Sequence, residues 1–197
     1  MANPLGNDIQ DLWRSMQDGE AEALAGLFKI YFAMLFDYGM KLCGNEELVK
    51  DSIQEIFVTL WNRRSRLSVP RSVKGYLLAA LRRQLLSTLH HNRRQTEALS
   101  QLEWNDAFSP EDLLIVRETE AARRRALQAA LAEIPARIRE ALYLKTYQNL
   151  SYQEIASTMQ VSPQVARNYV CEAFQRLRQI LKKFQDFCIF SITFFNF

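Results

Sequence analysis

The stretch Ser151-Tyr-Gln-Glu-Ile-Ala-Ser-Thr-Met-Gln-Val-Ser-Pro-Gln-Val-Ala-Arg-Asn-Tyr-Val170 decides how this chain folds. It reads as two short helices joined by a tight turn. The Ser151 hydroxyl can accept an orphan backbone N–H at the first helix start, and Glu154 three residues on completes a capping box. Ile155 and Ala156 supply that helix's buried side. Ser162 caps the second helix, with Pro163 at its first position, where a missing N–H costs nothing. Ala166, Val170, Ala173, Phe174 and Leu177 recur at spacings of three and four and face inward. Gln164, Arg167, Asn168 and Glu172 are left facing out. Arg, Asn and Gln reach base edges with bidentate geometry, and these lie in the first two turns, where a recognition helix meets the major groove. The stretch is therefore read as a helix-turn-helix; the plain alternative is a helical hairpin with a polar outer face.

Outward from this stretch, helical periodicity continues and alternating strand pattern is nearly absent. Leu127, Leu131 and Ile134, then Ile138, Leu142 and Tyr143 after Pro135, predict supporting helices upstream. Nearer the N-terminus, Asp18-Gly19-Glu20 breaks a short first helix. A longer one places Leu24, Leu27, Phe28, Tyr31, Leu35 and Tyr38 on one face, and Gly44-Asn45 ends it. The next, from Glu46 to about Asn62, buries Leu48, Val49, Ile53, Ile56, Phe57, Leu60 and Trp61. After the break at Ser68-Val69-Pro70, a fourth from about Ser72 turns Val73, Leu77, Ala80, Leu81, Leu85 and Leu89 inward. The expected fold is all-α: two small helical bundles joined by a flexible acidic linker. The first spans 8–94, the linker 95–110, the second bundle 111–183, and an apolar aromatic tail 184–197.

Charge is segregated along the chain. The net charge is only +3 over 197 residues. Yet the segment from Arg63 to Arg94 carries Arg63, Arg64, Arg66, Arg71, Lys74, Arg82, Arg83, Arg93 and Arg94 without one carboxylate. Glu97 to Asp112 holds Glu97, Glu103, Asp106, Glu111 and Asp112 without one cation. Such segregation implies separate electrostatic roles. Trp104 and Phe108 in the linker read as packing on a neighbouring domain or as a partner contact. Cys43, Cys171 and Cys188 form no CxxC pair and suit a reducing cytosol. No basic start followed by an apolar core marks a secretory signal, so a cytoplasmic location is expected. The Phe-rich tail is far shorter than the ~20 residues of a membrane-spanning helix, and docking on the chain itself or on a partner is the expectation.

No catalytic constellation emerges. His90 and His91 are adjacent and diverge by about 100° on a helix, so they do not form an i, i+4 metal pair. There is no phosphate-binding GxxxxGK[ST] loop and no GxSxG elbow. Neither enzyme activity, a metal nor a cofactor is expected.

Two strings, Asp51-Ser-Ile-Gln-Glu-Ile-Phe57 followed by Leu60-Trp61, and Leu150-Ser-Tyr-Gln-Glu-Ile-Ala156, occur in an order and separation that resemble the extracytoplasmic-function RNA polymerase sigma factors of the sigma-70 family. The likeness is greatest to the branch common in Bacteroidetes. Leu27-Phe-Lys-Ile-Tyr31, Gly75-Tyr-Leu77, Arg82, Ile134-Pro135, Arg139-Glu140 and Ala173 through Arg178 extend the resemblance over about Ile9 to Leu181. It implies a non-catalytic subunit that binds core RNA polymerase, selects promoters and helps open them. Asp51, Gln54 and Glu55 would dock on the clamp coiled coil of the largest subunit, and the second domain on the flap of the second subunit. Arg71, Arg82, Arg83, Ser87, His90, Arg93 and Arg94 would meet promoter DNA around the minus-ten element. Ser151, Tyr152, Ser162, Gln164, Arg167, Asn168 and Arg176 would meet the upstream element.

The Leu67-to-Ser72 loop resembles the family's specificity loop, which pockets a base flipped from the non-template strand. A membrane-anchored anti-sigma factor is the implied regulator. The acidic linker would pass through polymerase channels shaped for nucleic acid, the alternative being a solvated spacer. Two positions depart from the family's pattern. Arg82-Arg83 and Ser87 replace the frequent Arg-Asn-x-x-x-Asp, so the minus-ten base preference does not carry over, and Gln160 stands where the turn often has Gly. A stand-alone helix-turn-helix regulator and a helical interaction adaptor remain the rival readings.

Overall fold

The computed structural model describes residues 4–95 and 131–182, with side-chain environments for 8–90 and 131–179. The described residues are all helix and connecting turn, with no strand among them. The chain divides into two compact units, Met1–Ser100 and Gln101–Phe197. Gln95, expected in the linker, closes α4; the rest of the expected linker at 96–110, the segment 111–130 and the 184–197 tail lie outside the described residues.

The first unit is a four-helix arrangement: α1 (Pro4–Asp18), α2 (Ala21–Cys43), α3 (Glu46–Arg63) and α4 (Val73–Gln95), with a 3₁₀ turn at Arg64–Arg66. Its punctuation is local chemistry. Gly44 adopts φ 64°, a left-handed conformation that glycine takes without strain, and its N–H closes α2 on the Met40 carbonyl at 2.8 Å. Asn45 then starts α3, its Oδ1 accepting from the Leu48 N–H at 3.0 Å. Ser72 starts α4 in the same way, accepting from the Gly75 N–H at 3.1 Å.

Burial holds these helices together. Trp13 and Met16 from α1, Leu27, Leu35 and Tyr38 from α2, Val49, Ile53 and Leu60 from α3, and Leu77, Leu78, Leu81 and Leu85 from α4 form the core. Each contributes about 1.5–3 kcal/mol on removal from water. By length and composition alone α2 could cross a membrane; here it packs against α1, α3 and α4 as a core helix does.

The α2 face differs from expectation at Phe28, which is 38% exposed. A 3.6-residue period puts positions 28, 32 and 36 on one stripe and 27, 35 and 38 on another. The second is fully buried by neighbouring helices, whereas the first is only partly covered, by α3. The first forms an aromatic ladder, Phe28 to Phe32 at 5.1 Å and Phe32 to Phe36 at 5.9 Å, with Phe57 edge-on to Phe28. Trp61 is half-buried, its ring covered by the Arg64 guanidinium at 4.3 Å.

In the second unit, Leu131 and Ala132 close a helical segment and a turn leads to α5 (Ala136–Thr146), α6 (Tyr152–Met159) and α7 (Pro163–Lys182). Leu131, Ile134, Ile138, Leu142, Ala173 and Leu177 make its core, with Tyr169 and Phe174 packed at the edge. Two buried polar side chains, Arg139 and Gln148, are anchored by hydrogen bonds. Arg139 donates to the Ile134 carbonyl at 3.1 Å, and the Gln148 amide donates to the Tyr143 hydroxyl at 2.8 Å.

Candidate nucleic-acid and polymerase interface

In the second unit, local hydrogen bonds set the aim of α7. The Ser151 hydroxyl accepts from the Glu154 N–H at 3.3 Å, while Glu154 Oε2 accepts from the Ser151 N–H at 2.7 Å and from its hydroxyl at 2.6 Å. Ser151 is thereby committed to its cap. Gln160 ends α6 at φ 56°, ψ 48°. The position that often holds glycine keeps the left-handed turn with a side chain in place. The Ser162 hydroxyl accepts from the Val165 N–H at 3.2 Å and opens α7.

Ala166 and Val170 are buried, so Gln164, Arg167 and Asn168 are exposed on the opposite side. The Gln164 amide donates to Asn168 Oδ1 at 3.1 Å, which pre-orders two of the three. Arg176 is engaged within α7: its Nε and Nη2 donate to Glu172 Oε1 at 2.9 and 2.7 Å. Tyr152 is half-buried beneath the Lys145 ammonium, 5.0 Å from its ring centre. Lys145 did not stand out in the sequence, because only the fold brings it to Tyr152.

In the first unit, Arg71, Arg83, Ser87 and His90 are exposed. Arg82 is not: it retains only 3% exposure and has an interaction of its own. In this structure it is therefore not presented on the surface with Arg83. Arg82 follows Leu81 and lies between Leu78 and Leu85 on the stripe that meets the core, so neighbouring helices cover it. Arg93 and Arg94 fall in the last turn of α4, and their side chains lie outside the described residues.

Asp51, Gln54 and Glu55 are exposed along α3, and Val58, 51% exposed, extends the same surface. Glu55 also turns toward α4, where its Oε2 accepts from the Gln84 amide at 2.6 Å. Between α3, the 64–72 segment and α4 runs a groove of about 200 Å³, lined in part by Glu55, Arg63, Leu67, Tyr76, Arg83 and Gln84. Its loop wall is pinned: Gln17 of α1 donates to the Leu67 carbonyl, and Arg64 donates to the Trp61 carbonyl at 2.9 Å. Tyr76 stands edge-on to Trp13, ring centres 5.5 Å apart. Arg63, Tyr76 and Gln84 were not among the sequence candidates, since nothing in the local pattern announces a wall built from three segments.

One helical unit thus carries an exposed face with Asp51 and Glu55 and a groove lined in part by arginines, and the other carries a capped helix-turn-helix. Family models agree. Sigma-70 region 2 matches residues 27–95 and Sigma-70, region 4 matches residues 124–177, together more than half the chain. The chain is similar to the RNA polymerase sigma factor CarQ of Myxococcus xanthus, 24% identical over 165 residues, covering 84% of this chain and 92% of that protein.

Two solved structures share the fold. CnrH in complex with the cytosolic domain of CnrY has a TM-score of 0.59 at 15% identity, over 88% of this chain and 97% of that one. The sigma factor RpoE of Bartonella quintana, solved with the anti-sigma factor NepR, has a TM-score of 0.57 at 16% identity, over 80% of this chain and 96% of that one. This chain belongs to the sigma-70 family of RNA polymerase sigma factors, in its extracytoplasmic-function group.

Proposed function

We propose that this sigma factor is a non-catalytic, cytoplasmic, dissociable subunit that carries core polymerase to selected promoters and stabilises their opening. The division of labour follows the two units. Residues 8–94 grip the enzyme and the melted minus-ten region, and residues 111–183 read the upstream element; 95–110 tether them. On α3, Asp51, Gln54 and Glu55 offer carboxylate and amide acceptors to a basic partner surface on the polymerase clamp.

Arg71, just before α4, and Arg83, Arg93 and Arg94 on α4 neutralise phosphates, with His90 exposed beside them; this favours binding without choosing sequence. The groove beside Leu67 accepts one base flipped from the displaced strand. Flipping costs a few kcal/mol, which stacking and hydrogen bonds inside the groove must offset. The observation that carries the proposal is the exposed Gln164, Arg167 and Asn168 set on a doubly capped recognition helix. That set is suited to bidentate base contacts.

The neighbouring structures were solved with CnrY and NepR bound, which supports an anti-sigma factor as the partner that withholds this chain from polymerase. Run-off transcription with purified core polymerase tests the reading. Initiation from a cognate promoter only when the chain is added is the expected result. Operator binding by the chain alone, with no effect on initiation, would instead mark a stand-alone helix-turn-helix regulator.

A further inference from the structure

We infer that Gln164 reads an adenine of the upstream element from the major groove, and that Asn168 is the positioning residue that holds its amide in the orientation this requires. This rests on the upstream-element reading proposed above; it adds the identity of one base and separates the roles of two residues. Gln164 and Asn168 are four residues apart, so they lie one turn above the other on the same helix face. Both are exposed, on the side away from the buried Ala166 and Val170. Gln164 directly follows Pro163, the first residue of α7, in the turn that the Ser162 cap orders and that a recognition helix presents to base edges.

A primary amide carries two N–H donors on nitrogen and one carbonyl acceptor. Left alone, a glutamine amide can turn either end toward a base. Here one Gln164 N–H is donated to Asn168 Oδ1 at 3.1 Å. Turning the amide over against that Oδ1 would set two carbonyl oxygens together. The bond therefore fixes the orientation, uses one donor, and leaves one N–H and the Oε1 carbonyl for a ligand.

Only adenine matches that remainder. Its major-groove edge has the N6 amino donor next to the N7 acceptor, and glutamine pairs with both at once. Guanine shows two acceptors, O6 and N7, so the Gln164 carbonyl would face an acceptor. Thymine offers the O4 acceptor alone and cytosine the N4 donor alone. Each satisfies half of the amide and leaves the other half desolvated without a partner, which is costly.

The test uses the full chain with core polymerase on templates whose upstream element is randomised, with run-off transcripts sequenced. Gln164→Ala should erase a preference of at least about fivefold at one base pair, the lower end for a bidentate contact, and the parent should prefer A·T there. Base analogues identify the atoms. In the strand carrying that adenine, 7-deazaadenine removes N7 and unsubstituted purine removes the amino group. Each should lower initiation about fivefold with the parent and less than about twofold with Gln164→Ala. Uracil in place of the paired thymine removes only a methyl group and should leave initiation unchanged.

Asn168→Asp keeps an oxygen to accept the Gln164 N–H but has no donor of its own to offer a base. It should retain the adenine preference while total initiation falls, because the new charge repels phosphate. Asn168→Ala removes the oxygen and should reduce the preference below about twofold. A direct base contact from the Asn168 amide N–H, or a purely structural role, would make the Asp and Ala variants lose the preference alike; that result overturns the positioning role. Preference for G·C at the pair that Gln164→Ala erases, or loss with uracil but not with 7-deazaadenine, overturns the adenine assignment. If a motif emerges that Gln164→Ala does not change, the inference fails and the upstream reading stands. If no template is transcribed above core polymerase alone, both fail.

Discussion

Gly39 on α2 faces Val49 on α3 so closely that a single added methyl should be felt. A Cβ at position 39 would lie 2.6 Å from Val49 Cγ1, 3.0 Å from Cγ2 and 3.4 Å from Cβ. Carbon atoms prefer separations of about 3.5–4.0 Å, so the first contact is about 1 Å too short. Val49 is fully buried and stiff at χ1 because it is β-branched, leaving the helices to move apart. Gly39→Ala gains about 0.8–1 kcal/mol of helix propensity and loses about 1–3 kcal/mol to overpacking. The expected net is a destabilisation of about 1 kcal/mol, a fall in melting temperature of roughly 4–8 °C for a unit of this size.

Val49→Ala alone should cost about 2 kcal/mol from two lost methyl groups and a residual cavity. The double variant should be no worse than Val49→Ala, since the methyl added at position 39 enters the vacated space. That is a coupling of about 1 kcal/mol or more between touching residues. Thermal and urea unfolding of the full chain by near-ultraviolet circular dichroism reports on Trp13, fully buried in the same unit. Coincidence with the far-ultraviolet signal tests two-state behaviour. A Gly39→Ala protein that melts higher than the parent, or simple additivity in the double variant, refutes the close-packing argument.

Other consequences are quicker to check. Arg167→Ala should weaken binding to the upstream element by about 1–3 kcal/mol and relax its sequence preference; competition between cognate and scrambled promoters in run-off assays measures this, and unchanged selectivity would refute the contact. Reversing charge with Asp51→Lys and Glu55→Lys should lower affinity for core polymerase while far-ultraviolet circular dichroism stays constant; unaltered affinity would place the docking surface elsewhere. Gln160→Gly should stabilise the second unit by up to about 1 kcal/mol. It relieves the left-handed strain of φ 56°, worth about 1–2 kcal/mol, against the entropy that glycine adds to the unfolded chain. A lower melting temperature counts against it. Cys171 is exposed, whereas Cys43 is half-buried and burial pushes its thiol pKa up; a thiolate-specific reagent at neutral pH should modify Cys171 before Cys43, as peptide mapping would show.

What the sequence settled by itself was local. Capping operates over three or four residues, so Ser151 with Glu154, Ser162 before Pro163, and Gly44 could be read from spacing alone. The order of helices followed from them. The outward set Gln164, Arg167 and Asn168 was equally legible, because Ala166 and Val170 fix which side of a short helix is covered.

Tertiary structure decided the rest. Periodicity shows that a helix has stripes but not which stripe a neighbour will cover. That choice buried Arg82 while leaving Arg83 exposed, and it left Phe28 outside while Leu27 went in. It also brought Glu55 to Gln84, 29 residues away in sequence, to form a groove that no contiguous segment encodes. Burial is set by what lies opposite a side chain, and in a bundle that partner comes from another part of the chain.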